Sequence, residues 1–87
     1  MKALIKLDRP VIVEGKYDKI TLENVIDALI IPTDGFGIFK NPEKTALIRA
    51  AARGKGVIVM TDSDSAGAVI RAYLKKILGD AEIINVY

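Results

Sequence analysis

Val57-Ile58-Val59-Met60-Thr61-Asp62-Ser63-Asp64-Ser65-Ala66-Gly67 is the stretch on which the fold turns. Its first four residues are apolar and mostly β-branched, the pattern of a strand buried on both faces. An acidic D-x-D turn follows. Beyond it Ala66, Val69, Ile70, Tyr73, Leu74, Ile77 and Leu78 recur at helical spacing until Gly79 stops them. Ile83-Ile84-Asn85-Val86 is a further apolar run. Buried strand, helix, buried strand is the signature of a parallel βαβ unit.

The same alternation extends upstream. Asn41-Pro42-Glu43 is a helix start, with Asn as N-cap, Pro in the first helical position and Glu in the first turn. Leu47, Ile48 and Ala51 give that helix its inner face, and Gly54 or Gly56 is expected to end it. Val11-Ile12-Val13 reads as a buried strand between Pro10 and Glu14-Gly15. Leu22, Val25, Ile26 and Leu29 form a helical stripe, predicting a helix from about Lys19 to Ala28 capped by Asp18. Leu29-Ile30-Ile31 is then a strand stopped by Pro32, and Thr33 to Lys40 a loop around Asp34-Gly35-Phe36-Gly37. The expectation is a three-layer α/β/α domain over residues 1–87, with a Rossmann-like four-stranded parallel sheet in the order 2-1-3-4. Residues 1–9 are either a lead-in or an extra edge strand.

Composition narrows the chemistry. The chain of 87 residues contains no His and no Cys. Ser-His-Asp and Cys-His catalysis, zinc sites of those residues, iron–sulfur clusters and disulfides are therefore excluded. Acid–base work falls to Asp, Glu, Lys or Tyr, and a metal would be held by oxygen, as Mg²⁺, Mn²⁺ or Ca²⁺ are. The longest apolar run, Ala28 to Ile31, is far too short to span a membrane. No signal peptide is read in Met1 to Leu7, so a cytoplasmic protein is expected.

In open α/β sheets ligands bind outside the carboxyl ends of the strands, where the chain order reverses. For order 2-1-3-4 that crevice lies between the strands at 11–13 and 57–60. Glu14 and Asp62 directly follow those strands, with Asp64 two residues on. Three carboxylates brought together repel one another, and a hard divalent cation relieves the repulsion. Each also has a plainer reading: Asp62 and Asp64 as turn and N-cap residues, Glu14 as an acid favoured near a helix N-terminus. Asp18 reads as a cap and Asp34 as a turn residue. Setting the trio aside leaves thirteen basic side chains against eight acidic ones, a balance suited to binding phosphates. Lys16 and Lys40 are the best placed of them. Arg49, Arg53, Lys55, Arg71, Lys75 and Lys76 read as solvated or helix-dipole residues. Tyr17, Phe36 and Phe39 either stack on a base or pack against the fold.

Val11-Ile12-Val13-Glu14-Gly15, the Asp34-Gly35 turn and the Val57 to Gly67 stretch together resemble the Toprim domain of primases, topoisomerases and several nucleases. The resemblance covers about Pro10 to Tyr87. Glu14-Gly15-Lys16-Tyr17-Asp18 is most similar to small stand-alone Toprim proteins and to the ribonuclease that matures 5S ribosomal RNA. It implies Glu14 as general acid or base or as a metal ligand, and Asp62 and Asp64 as holders of Mg²⁺, with Mn²⁺ as a substitute. Gly15, Asp34, Gly35 and Gly67 would shape the site loops, with Gly67 letting its helix approach the sheet closely. The implied function is phosphodiester chemistry on RNA or DNA, with a ribonuclease core expected first. The alternatives are a non-catalytic metal- and nucleic-acid-binding module, a phospho-receiver or phosphatase, and a minimal domain without turnover. Tyr17, Tyr73 and Tyr87 match no topoisomerase nucleophile. A further domain or a homodimer is the other expected partner, since the sheet has an open edge.

Overall fold

A strand flanked by partners on both sides and helices on both faces must be apolar throughout, and Val11–Val13 (β2) meets that demand with every side chain buried. The computed structural model describes residues 3–62 and 64–87, apart from the side chain of Ser65. Around β2 the order of elements is β1 (Ile5–Lys6), β2, α1 (Lys16–Glu23), β3 (Ile26–Asp27), β4 (Ile30–Pro32), a 3-10 helix (Gly35–Lys40), α2 (Pro42–Ala51), β5 (Val57–Met60), α3 (Ser65–Leu78) and β6 (Ile83–Val86). The main sheet is parallel throughout and runs β4-β2-β5-β6, the 2-1-3-4 order expected from the sequence. Ile5–Lys6 does not extend it. It pairs with Ile26–Asp27 in a separate two-stranded ladder.

Register sorts the side chains between two cores. Ile12 lies opposite Ile31 on one neighbour and Val59 on the other, and all three join the cluster under α2 and α3 with Ile38, Ile48, Val57, Ile70 and Leu74. Val11 and Val13 point the other way, with Ile30, and pack with the partly buried Leu22, Ile26, Ile58 and Met60. The period of two along each strand produces this division. The loop aromatics pack: Phe36 stacks on Phe39, which meets Tyr73 of α3 edge-on at 4.7 Å.

Two helices differ from expectation in their boundaries. The helix predicted over 19–28 forms at Lys16–Glu23 instead. Asp18 does cap, but from inside the first turn: its Oδ2 accepts from the Gly15 N–H at 3.0 Å. The Asn24 and Val25 amides then bond three residues back, to Thr21 and Leu22, and the chain leaves the helix so that Ile26 can pair with Ile5. Val25 and Leu29 are consequently exposed. α2 begins as predicted, with Asn41 Oδ1 accepting from Lys44 N at 2.9 Å, but ends at Ala51, short of both glycines. Pro32 is the last paired residue of β4 rather than its stop, which an edge strand tolerates.

Candidate functional site

The crevice forms where β2 and β5, adjacent and parallel, release their chains at the same height. Val13 is in register with Met60, so Glu14 and Thr61-Asp62 emerge side by side. Glu14 Oε1 accepts a hydrogen bond from the Asp62 N–H at 3.1 Å, joining residues 48 apart in sequence. Beside them a hollow of about 340 Å³ is lined by Val13, Glu14, Leu22, Met60, Asp62 and Tyr87, with Asp18 and Thr21 from α1. It mixes an apolar wall with a carboxylate rim, the ordinary make-up of a ligand pocket.

The backbone of Glu14 is fixed from the β4 side. Its carbonyl accepts from Gly35 N at 2.9 Å and from Thr33 Oγ1 at 3.1 Å, while Thr33 N donates to Val13 O at 2.8 Å. Thr33 is fully buried. Asp34 takes a left-handed conformation (φ 61°), as does Gly35, and this turn aims the Gly35 amide at Glu14. The Asp34 carboxylate is engaged elsewhere, with Lys44 Nζ at 2.5 Å. Asp34 and Gly35 thus buttress the loop that carries the glutamate.

The D-x-D aspartates part company. Asp64 is the N-cap of α3, its Oδ1 accepting from Gly67 N at 2.8 Å. Asp62 is exposed, and its carboxylate accepts no hydrogen bond from the described residues. Among the described residues no three carboxylates stand close enough to share an ion. The sequence-expected trio is therefore a hydrogen-bonded pair, Glu14 with Asp62, and a neighbour occupied as a cap. Ser63 lies outside the described residues. The donor chemistry still suits Mg²⁺. That ion keeps several waters and takes one or two carboxylates rather than a full protein cage, and it has no need of the imidazoles and thiols this chain lacks. Asp64 retains Oδ2 beyond its capping oxygen.

The two expected lysines are dispersed. Lys16 opens α1, exposed, with its ammonium 5.7 Å from the Tyr17 ring centre. Lys40 lines a different hollow, with Arg49 and Tyr73. At Gly67 a Cβ would stand 2.1 Å from the Asp62 carbonyl oxygen, so only glycine lets α3 approach the β5–α3 turn this closely. Sequence reasoning missed Arg71. Its Nη1 donates to Asp62 O at 3.0 Å and to Thr61 Oγ1, and its guanidinium lies 4.4 Å from the Tyr87 ring centre. The spacing of Arg71 four residues after Gly67, on one helix face, was the available signal. Thr33 left no such trace.

The Toprim domain model matches residues 9–87. Similar proteins include three named Ribonuclease M5. That of Borreliella burgdorferi is 36% identical over 75 residues, covering 86% of this chain and 40% of the relative. That of Clostridium botulinum is 42% identical over 64 residues, 74% of this chain and 34% of the relative. That of Mycoplasma pneumoniae is 36% identical over 81 residues, 93% of this chain and 44% of the relative. The chain thus spans well under half the length of the relatives it matches. No helix among the described residues is long and apolar enough to cross a membrane.

Proposed function

The chain belongs to the Toprim domain family, and on that footing we propose that it is a Mg²⁺-dependent phosphodiester-cleaving core acting on RNA. The observation that carries the reading is the Glu14 Oε1–Asp62 N bond at the mouth of the two central strands. The names of its relatives favour RNA over DNA, and a structured ribosomal precursor is the substrate class implied by the likeness of residues 14–18.

Phosphodiester hydrolysis needs negative charge on the phosphate neutralised, a nucleophile held in line, and a proton moved. A divalent ion, when bound, supplies the neutralisation. Asp62, exposed at the crevice, would hold it first; Asp64 Oδ2 and Glu14 would have to draw closer to join, since no three carboxylates meet among the described residues. Glu14 is suited to move the proton. One of its oxygens is anchored by the Asp62 amide, which fixes the carboxylate plane and leaves Oε2 to take or return a proton. The Thr33 and Gly35 bonds to its carbonyl hold the glutamate's backbone during that exchange. Lys16 and Lys40 would contact flanking phosphates rather than the reacting one, since neither lines the carboxylate hollow.

The test is cleavage of structured RNA and of duplex DNA with and without Mg²⁺, by wild type, Glu14→Gln and Asp62→Asn. Wild type is expected to cut RNA only with the ion, and each variant to lose about 100-fold or more. Gln retains an acceptor for the Asp62 amide, so its loss would report chemistry rather than folding. Equal inertness of all three with retained RNA binding would replace the enzyme with a binding module.

A further inference from the structure

Arg71 grips both sides of the Asp62 amide. Its Nη1 donates to the Thr61 hydroxyl before that amide and to the Asp62 carbonyl after it. The amide in between donates to Glu14 Oε1. With its two flanks held, the Asp62 backbone has little freedom to turn, and the N–H stays aimed across the crevice. We infer that Arg71 is a positioning residue that builds the Glu14–Asp62 pair by clamping the β5–α3 turn.

Four observations support this over a role in solvation or helix-end pairing. Arg71 sits mid-helix, whereas the last turn of α3 already carries Lys75 and Lys76, so the helix dipole does not account for it. Gly67 makes room for it: a Cβ there would stand 3.1 Å from Arg71 Nη1 as well as against the Asp62 carbonyl. Thr61 is 5% exposed, and the guanidinium satisfies its hydroxyl. The Tyr87 ring, its centre 4.4 Å from the guanidinium carbon, adds a cation–π contact to the same group. The inference deepens the proposed metal-dependent site, and it rests on that reading only for its effect on the ion.

The experiment compares wild type with Arg71→Met and Arg71→Lys by two readouts. The first is solvent exchange of the Asp62 amide, followed by NMR without metal. The second is Mn²⁺ affinity by titration calorimetry. Arg71→Met is expected to speed Asp62 exchange about tenfold while the buried amides of β2 and β5 keep their rates, and to weaken Mn²⁺ about tenfold, as losing a supporting contact around a metal ligand does. Arg71→Lys, which keeps a cation and one reachable acceptor, is expected to recover part of both. It also carries the comparison if Arg71→Met does not fold. Unchanged Asp62 exchange, or a rise shared with β2 and β5, overturns the positioning role. Absence of Mn²⁺ binding in wild type would overturn the metal reading instead, leaving the amide measurement to decide Arg71.

Discussion

The two rims of the parallel sheet handle charge in opposite ways. At the amino ends of the strands acids meet cations: Asp8 pairs with Lys55 at 2.6 Å and Arg9 with Glu82 at 3.4 Å. At the carboxyl ends, apart from the Asp34–Lys44 pair, Glu14 and Asp64 meet only backbone N–H groups among the described residues, and Asp62 meets no donor among them. Both rims use a glycine to bring main chains together, Gly56 against the Glu82 carbonyl below and Gly67 against the Asp62 carbonyl above. The lower rim is closed on itself. The upper rim orders Glu14, Asp62 and Asp64 with no cationic side chain paired to them among the described residues, the arrangement that the proposed cation-dependent site requires.

The glycines give the largest effects. At Gly56 a Cβ would lie 2.2 Å from Glu82 O, and the residue's φ of +89° is one that L side chains rarely adopt, so both strain and overlap oppose alanine. Gly56→Ala is expected to cost about 3 kcal/mol or more in urea denaturation. Gly67→Ala has the overlap without the φ penalty and is expected to cost about 2 kcal/mol. The two should differ in kind as well. Gly67→Ala is expected to lose its response to Mn²⁺, because it displaces Asp62 and Arg71 together. A folded Gly56→Ala protein keeps that response. The reverse pattern would erase the distinction between the rims.

A smaller effect tests the uncompensated charge directly. An ion bound only by the native state, at ten times its Kd, raises stability by about 1.4 kcal/mol. Wild type is expected to gain stability of that order, read as a rise in its thermal midpoint, with millimolar Mg²⁺ or Mn²⁺, and Glu14→Gln and Asp62→Asn none. Without metal Asp62→Asn should stay within about 0.5 kcal/mol of wild type, since the residue is exposed and its carboxylate is unpaired among the described residues. A metal-free loss much greater than that would make Asp62 a structural residue like those of the lower rim.

Which parts were legible in the sequence follows the range of the forces involved. Strand order came from apolar runs and crossover rules, and α2 and α3 from their caps and 3.6-residue stripes, all local signals. The start of α1 misled because its cap, Asp18, lies three residues inside the helix rather than before it. Its end was lost to a distant event, the pairing of Ile26 with Ile5. At the site the positions of Glu14 and Asp62 followed from topology. The difference between Asp62 and Asp64 did not, because one D-x-D spacing accommodates both an exposed carboxylate and an N-cap. Arg71, marked only by its spacing from Gly67, and Thr33, marked by nothing, were missed for a related reason: each acts on a backbone group across a turn.

The smallest effect belongs to the lower rim's ion pair. Lys55 holds the Asp8 carboxyl below its ordinary value, first by the hydrogen bond between them and then by its charge. A carboxyl lowered in the folded state contributes stability that is complete above its unfolded value of about 3.9 and is lost as pH falls through the folded value. Asp8→Asn should therefore lower the urea midpoint slightly at neutral pH and converge with wild type on the acid limb, below about pH 4. Both partners are exposed, so even this difference should shrink in about 1 M salt, where screening reaches about 3 Å. Urea midpoints of wild type and Asp8→Asn between about pH 3 and pH 7 measure it. A neutral-pH loss as large as that of Gly67→Ala would mean that the lower rim is held by its charges. A negligible one places its strength in the main-chain approach of Gly56 to Glu82, the same device that Gly67 provides at the upper rim, and leaves the handling of charge as the feature that separates a closed end from a working one.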